Sequence, residues 1–286
     1  MRILITGANG FLGRAIVQNL QSNTNYEVLP LYRHARGVAN EIVGDLTDPS
    51  LYARLPPQID LIVHGGAYVP EKESAADPEL AMATNAEATL RMLEYSVKAG
   101  ARRFVYISSA AVYGVPLISR AVSETTEPSP DNPYALSKLA GELMLEAYRF
   151  VHGIETAGLR FSYIYGSGMR GSSVVKKFSV LAKSNSVIPL FNSGEDFFDL
   201  IHISDAVRAV ECAMRRGAGI FNIGSGKRTF VHELAKTLVE VTGSMSVIDK
   251  LPPSGKYHSK YLDISKAAAE LNWFPVVGLS EGLKDI

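Results

Sequence analysis

The sequence predicts an α/β chain in which a doubly wound parallel sheet is followed by a smaller C-terminal α/β lobe. Three observations carry that expectation. A short apolar run at residues 3–6 leads straight into a glycine-rich turn and a helix-like segment. Strand-like runs then alternate with helix-like stretches as far as residue 161, a rhythm that requires a parallel sheet covered on both faces. After Gly166 the alternation loosens, so residues 1–165 are expected as the first domain and 166–286 as the second lobe, with about 199–222 returning to the main sheet. A chain of 286 residues is near the length at which one core stops growing.

Composition narrows the classes. Hydrophobic residues make up 47% and charged residues 20%, as in an ordinary globular protein. Lys+Arg and Asp+Glu are both 29, so no net field points to nucleic acid or an anionic membrane. The one cysteine, Cys212, excludes an internal disulfide and a cysteine metal cluster, and no metal is expected. In its helix-like run, 205–216, it reads as a small apolar residue rather than a nucleophile. No apolar run approaches the ~18 residues of a membrane span. The opening MRILIT has no signal-peptide layout, so a cytoplasmic location is expected.

Taken in order, the first strand ends at GANGFLG, residues 7–13. Strand, glycine turn and helix in that order form the dinucleotide site of a Rossmann domain: Gly7, Gly10 and Gly13 allow the tight turn, and the helix N-terminus faces a pyrophosphate. A plain strand–helix turn has the same outline. The second strand, 27–32, ends in YRHAR rather than in the acid that holds a ribose 2′-hydroxyl. Arg33 and Arg36 suit a 2′-phosphate instead, which favours NADP with NAD possible; two solvated arginines are the plainer reading. A short strand from 42 ends beside the adenine at Asp45 and Leu46, and the strand 59–64 is followed by Gly65, Gly66 and Ala67, small enough for a cofactor to lie against the backbone. Residues 80–98 place Ala83, Ala86, Leu90, Leu93 and Val97 at 3,4,3,4 spacing, a helix packed on the sheet and ended by Gly100.

The strand 103–109 ends in Ser108 and Ser109, where doubly wound sheets bind ligands, although a strand-end cap uses the same residues. A helix over 132–151 follows, with Pro133 in its first turn. Tyr134 and Lys138 lie four residues apart and share one face. A phenol ordinarily ionises near pH ~10. An ammonium one turn away lowers that value, so Tyr134 can exchange a proton with a hydroxyl or carbonyl. Another strand, 155–161, closes the first half. Beyond it, 172–183 reads as a helix, 187–191 as a strand and 199–205 as a return to the main sheet. Helices follow at 205–216 and 231–242, then a loop at 252–255 and a last segment at 263–272.

The strings TGANGFLG (6–13), GDL (44–46), SSAAVYG (108–114), YALSK (134–138) and RFSYIYG (160–166), with FNIGSG (221–226) and DISKA (263–267), resemble the extended short-chain dehydrogenases/reductases. The likeness is to their NAD-dependent epimerase/dehydratase group, whose usual substrates are nucleotide sugars. It implies a catalytic set of Ser109, Tyr134 and Lys138, with Tyr134 and Lys138 also among the cofactor contacts and Lys138 binding the nicotinamide ribose. It adds Phe11, Leu12 and Phe161 to the cofactor contacts, and Ser109, Ala110 and Tyr163 to the substrate contacts; beside the turn at 224–226, Lys227 and Arg228 offer a substrate positive charge, with surface solvation the plainer reading. Members often pair as homodimers through the helices at 80–98 and 132–151.

Departures from the group narrow the chemistry. Its dehydratases carry an Asp–Glu pair just after the catalytic hydroxyl; here Ala110 and Ala111 can move no proton. What remains is one hydride and one proton at one carbon. That describes 4-ketoreduction of a nucleotide-activated sugar, favoured by the NADP reading, or else 4-epimerisation with NAD. Members that hold a nucleotide diphosphate usually have Asn at position 163 and Arg at 198, where this chain has Tyr163 and Phe198. Reduction of a non-sugar carbonyl, or a non-catalytic dinucleotide-binding role, are the further alternatives.

Overall fold

The computed structural model describes residues 1–71, 76–114, 121–169, 171, 173–252 and 260–286. Ser172 of the expected helix and Pro253, Ser254 and Gly255 of the expected loop lie outside them. Strand β1 (Arg2–Thr6) enters the glycine turn and helix α1 (Phe11–Gln21), then come β2 (Glu27–Tyr32), β3 (Ile42–Val43), α2 (Pro49–Arg54) and β4 (Leu61–His64). Helices α3 (Pro78–Ala81) and α4 (Ala88–Lys98) are joined through a π-helical segment, Met82–Glu87. Strand β5 (Arg103–Ser109), helix α5 (Pro133–His152) and strand β6 (Glu155–Phe161) follow. These six strands and β11 (Gly219–Ile223) form one seven-stranded parallel sheet in the order β11-β6-β5-β4-β1-β2-β3.

Alternation along the strands sorts the two faces. Ile3, Ile5, Val63 and Val105 point to the side covered by α1 and α7 (Ile203–Arg215), where Ile16, Val17, Val207 and Val210 meet them. Leu4, Ile62 and Phe104 point to the side covered by α4 and α5, against Met92, Leu93 and Leu145. A strand buried on both faces reads as a continuous apolar run, as β1 and β4 do. Cys212 on α7 packs half-buried against the first of these cores.

The second lobe is built from β7 (Tyr163–Tyr165), α6 (Val174–Lys183), β8 (Ile188–Leu190), β9 (Phe197–Phe198), β10 (Leu200–His202), β12 (Thr229–Phe230), α8 (Val231–Thr242), β13 (Ile248–Lys250) and α9 (Leu279–Leu283). Its core gathers Val175, Phe178, Leu190, Leu234 and Leu238. Asp199 knits the lobe to the sheet: its buried carboxylate accepts from Ser225 N at 2.6 Å, Ser225 Oγ at 2.7 Å and Leu262 N at 3.0 Å. Burial raises the Asp199 pKa and those N–H and O–H donors pull against it.

Two expectations are corrected. The run at 199–205 does not rejoin the main sheet; β10 pairs in parallel with β7 in a separate two-stranded sheet, and β11 makes the return. The helix across 80–98 forms, but the π segment adds a residue to its turn and rotates the buried stripe. Thr84, Asn85, Thr89 and Met92 are buried, while Val97 is exposed and Ala83 and Leu90 are half-buried. Among the described residues no helix is long and apolar enough to cross a membrane.

Candidate active site

A cleft of about 1180 Å³ opens at the carboxyl ends of β1 and β4, where the strand order reverses. Gly7, Gly10, Phe11, Leu12 and Gly13 line one wall, and Leu46, Gly65, Gly66 and Ala67 another. The turn is closed by Gly10 N donating to Gly7 O at 2.8 Å. Gly7 holds φ +70°, and a Cβ on Gly13 would stand 2.1 Å from Gly7 O, so both positions require glycine. Gly10 caps α1 without a side-chain hydrogen bond, and the first turn carries no acid. The leading N–H groups are left for an anion, as a pyrophosphate requires.

The glycines after β4 are held from below by a relay that the neutral His64 completes. Gly66 N donates to Thr6 Oγ1 at 2.9 Å, and Thr6 Oγ1 meets His64 Nδ1 at 2.7 Å. On the other side His64 Nε2 meets Thr89 Oγ1 at 3.1 Å, and Thr89 donates to Asn85 O at 2.6 Å. Thr89 spends its proton on that carbonyl, so Nε2 donates and Nδ1 accepts. Burial, with Lys138 nearby, lowers the His64 pKa to about 3, which keeps the ring neutral in this role.

Ser109, Tyr134 and Phe161 line the same cleft as the glycine turn. Asn132 starts α5 by accepting from Ala135 N at 2.9 Å, with Pro133 in the first turn. Ser109 Oγ accepts from Ala111 N at 3.1 Å, as a strand-end cap does, and its O–H proton stays available to donate. Lys138 is 3% exposed, and its Nζ donates to Ile107 O at 2.8 Å and lies 4.8 Å from the centre of the Tyr106 ring. Burial lowers its pKa to about 7, with Glu142 acting in the opposite direction.

Other expected site residues are distributed less simply. Arg33 lines the cleft beside Tyr32 and His34, and its Nε pairs with Asp45 Oδ2 at 3.1 Å. Asp45 is not itself a lining residue; Thr47 N–H and, with burial opposing, the Thr47 hydroxyl and Arg33 hold its carboxyl below the usual range. Arg36 lies outside the cleft lining, its backbone N–H bound by Glu41 at 2.9 Å. Tyr163 borders both the main cleft and a second cavity lined by Ser109, Ala110, Ala111, Asp199 and Lys260. Its ring meets Phe198 edge-on at 5.0 Å. Arg228 lines neither cavity; its guanidinium lies over Phe197 at 5.2 Å and Tyr261 at 4.7 Å.

Comparison with known proteins places this geometry. The profile of the NAD dependent epimerase/dehydratase family matches residues 3–224. The chain belongs to that family. A putative UDP-glucose 4-epimerase of Methanocaldococcus jannaschii is 32% identical, over 99% of this chain and 96% of the relative. The UDP-glucose 4-epimerase of Thermotoga maritima, solved with UDP-glucose, superimposes with a TM-score of 0.87 at 30% identity, covering 99% of this chain and 96% of the other. That of Thermus thermophilus, solved with NAD, gives 0.86 at 28% identity over 100% and 97%.

As a member of the epimerase/dehydratase family, the chain also shows polar residues that sequence reading passed over. Glu142 and Arg160 form a buried pair at 2.6 Å that also receives Ser108 Oγ at 2.5 Å. Glu142 was visible as the next step of the four-residue spacing that joins Tyr134 to Lys138. Lys260 had no such signal; it lines the second cavity, and its Nζ donates to Gly114 O.

Proposed function

We propose that the chain is an NAD-dependent 4-epimerase of nucleotide-activated hexoses. One observation carries the reading: Ser109 and Tyr134 face a single cleft, and the side chains that follow Ser109 are the methyl groups of Ala110 and Ala111. Neither methyl group can serve a second proton transfer at a neighbouring carbon, as loss of water would need. The names of the relatives support epimerisation over reduction.

The glycine turn with Gly65, Gly66 and Ala67 would hold NAD, which would supply hydride chemistry at C4 of the hexose, with removal from one face and return to the other. Tyr134 as phenolate receives the C4 hydroxyl proton when hydride leaves, and gives it back to the C4 oxygen when hydride returns. The cycle balances with no net oxidant. Ser109 O–H donates to the C4 oxygen and fixes it near Tyr134. Lys138 gives one N–H bond to Ile107 O, leaving donors for the ribose hydroxyls. Tyr163 and Phe198 offer neither amide nor guanidinium to a diphosphate. Among the described residues Lys260 is the one cation lining the second cavity, and it is assigned that contact.

A second reading, NADPH-dependent 4-ketoreduction, is favoured by Tyr32, Arg33 and His34 at the adenine end, a wall without a carboxylate. The Arg33–Asp45 pair is exposed and worth about 0–1 kcal/mol, so it does not bar Arg33 from a 2′-phosphate. Incubation with UDP-glucose and UDP-galactose separates the two. Interconversion without net cofactor turnover is the expected result, and stoichiometric NADPH consumption by a 4-keto sugar supports the second reading instead.

The proposed assembly is a homodimer. Leu136, Leu143 and Phe150 recur every seven residues along α5 and are 51%, 60% and 91% exposed, with Leu80 and Met82 exposed on the adjoining helices. Sedimentation at micromolar concentration is expected to show twice the 31.0 kDa chain mass; a species of single-chain mass would rule the pairing out.

A further inference from the structure

The face of α5 that carries Tyr134 and Lys138 carries a third polar side chain one turn further on. Glu142 is 2% exposed and accepts from Arg160 Nη2 at 2.6 Å and Arg160 Nε at 3.0 and 3.1 Å, besides Ser108 Oγ at 2.5 Å. Arg160 is itself 4% exposed and lies 4.7 Å from the centre of the Tyr113 ring. Burial disfavours its charge, yet the contact with Glu142 outweighs that and holds its pKa above the ordinary value.

Lys138 has no carboxylate within salt-bridge reach among the described residues. The charged and titratable groups facing it are few. His64 from β4 is neutral, and burial pushes the Tyr106 phenol of β5 far above its ordinary pKa. Tyr134 and Glu142 lie on its own helix, and Arg160 on β6 is bound to Glu142. We propose that Glu142 is a positioning residue of the catalytic set, whose carboxylate, anchored by Arg160 and Ser108, keeps the Lys138 ammonium charged beside Tyr134. The proposal rests on the reading of Tyr134 and Lys138 as the proton-transfer pair.

Its physical basis is the four-residue spacing, which sets side chains about 5–6 Å apart at Cβ. Opposite charges within ~4–6 Å change proton affinity on the order of 10- to 1000-fold; the Glu142 carboxylate is beyond salt-bridge reach of Lys138 and is paired with Arg160, so the effect expected here is at the lower end. Burial pulls Lys138 down and Glu142 pulls it up, so the ammonium survives near neutral pH because the carboxylate is there. Ser108, the other anchor, directly precedes Ser109, so the same carboxylate ties α5 to the strand end that presents the catalytic hydroxyl.

The test reads the Lys138 charge directly. Full-length protein labelled with 13Cε-lysine is titrated by NMR, the Lys138 signal being assigned by its loss in Lys138→Met. Wild type is compared with Glu142→Gln and with Glu142→Leu/Arg160→Met, which removes both charges and leaves no buried guanidinium unpaired. Wild type is expected to titrate at about 7, and both variants about one pH unit lower or more. The alkaline limb of kcat is expected to move down with it, because Lys138 must be charged to favour the phenolate. A midpoint that stays in place in a folded variant overturns the proposal, whatever happens to turnover. The titration needs no substrate. A chain that shifts as expected but never interconverts hexoses contradicts the proposed activity and leaves the charge assignment standing.

Discussion

Tyr134→Phe is expected to lower kcat by about 10²- to 10⁴-fold, the usual worth of a positioned proton-transfer group. The substitution keeps the ring, and with it the packing of a residue only 9% exposed beside Ala111 and Ala135. It removes the oxygen proposed to take the C4 proton. Binding of NAD, read as a ligand-induced rise in Tm, is expected to change by about tenfold at most, the weight of one hydrogen bond. A variant that turns over at the wild-type rate would show that another group moves the proton. A variant that loses NAD binding altogether would make Tyr134 a structural residue.

Arg160→Met is expected to cost about 3–5 kcal/mol of stability, because it leaves the Glu142 carboxylate buried without its partner. For a chain of this size that lowers Tm on the order of 10 °C. The comparison that isolates burial is Arg91→Met. Arg91 and Glu87 also pair, at 2.5 Å and at (i, i+4) on the helix surface, but both are solvent-accessible. That loss is expected to be about 0.5 kcal/mol or less. Urea unfolding of both variants measures the contrast. Equal, small losses would show that Glu142 finds other partners.

Much of this arrangement is legible in the sequence, for identifiable reasons. Strands β5 and β6 form over the expected 103–109 and 155–161, where most positions of both strands are buried. The glycine turn is legible because Gly7 and Gly13 stand where no other residue fits. The helix over 78–98 forms as its composition requires, but spacing alone does not show which side is buried. The π segment follows from tertiary contacts instead: Asn85 donates to Ser137 Oγ at 2.9 Å and accepts from Tyr68 N at 2.7 Å. The His64 relay joins residues 25 and 58 positions apart, a separation at which no local pattern exists. β10 resembles a main-sheet strand because its residues are fully buried, yet its partner is β7. Arg36 and Arg228 illustrate the reverse case: each is a cation beside an apt motif, and the backbone turns one away from the cleft while aromatic rings hold the other.

The central claim is that one hydride leaves C4 and returns to it. Its most direct test is a UDP-hexose deuterated at C4, incubated with the protein and its bound NAD in ordinary water. The account predicts the C4 epimer with deuterium still at C4 and no net reduction of cofactor. Deuterium appearing in free NADPD or NADD, loss of the label to solvent, or a product altered at another carbon would contradict it.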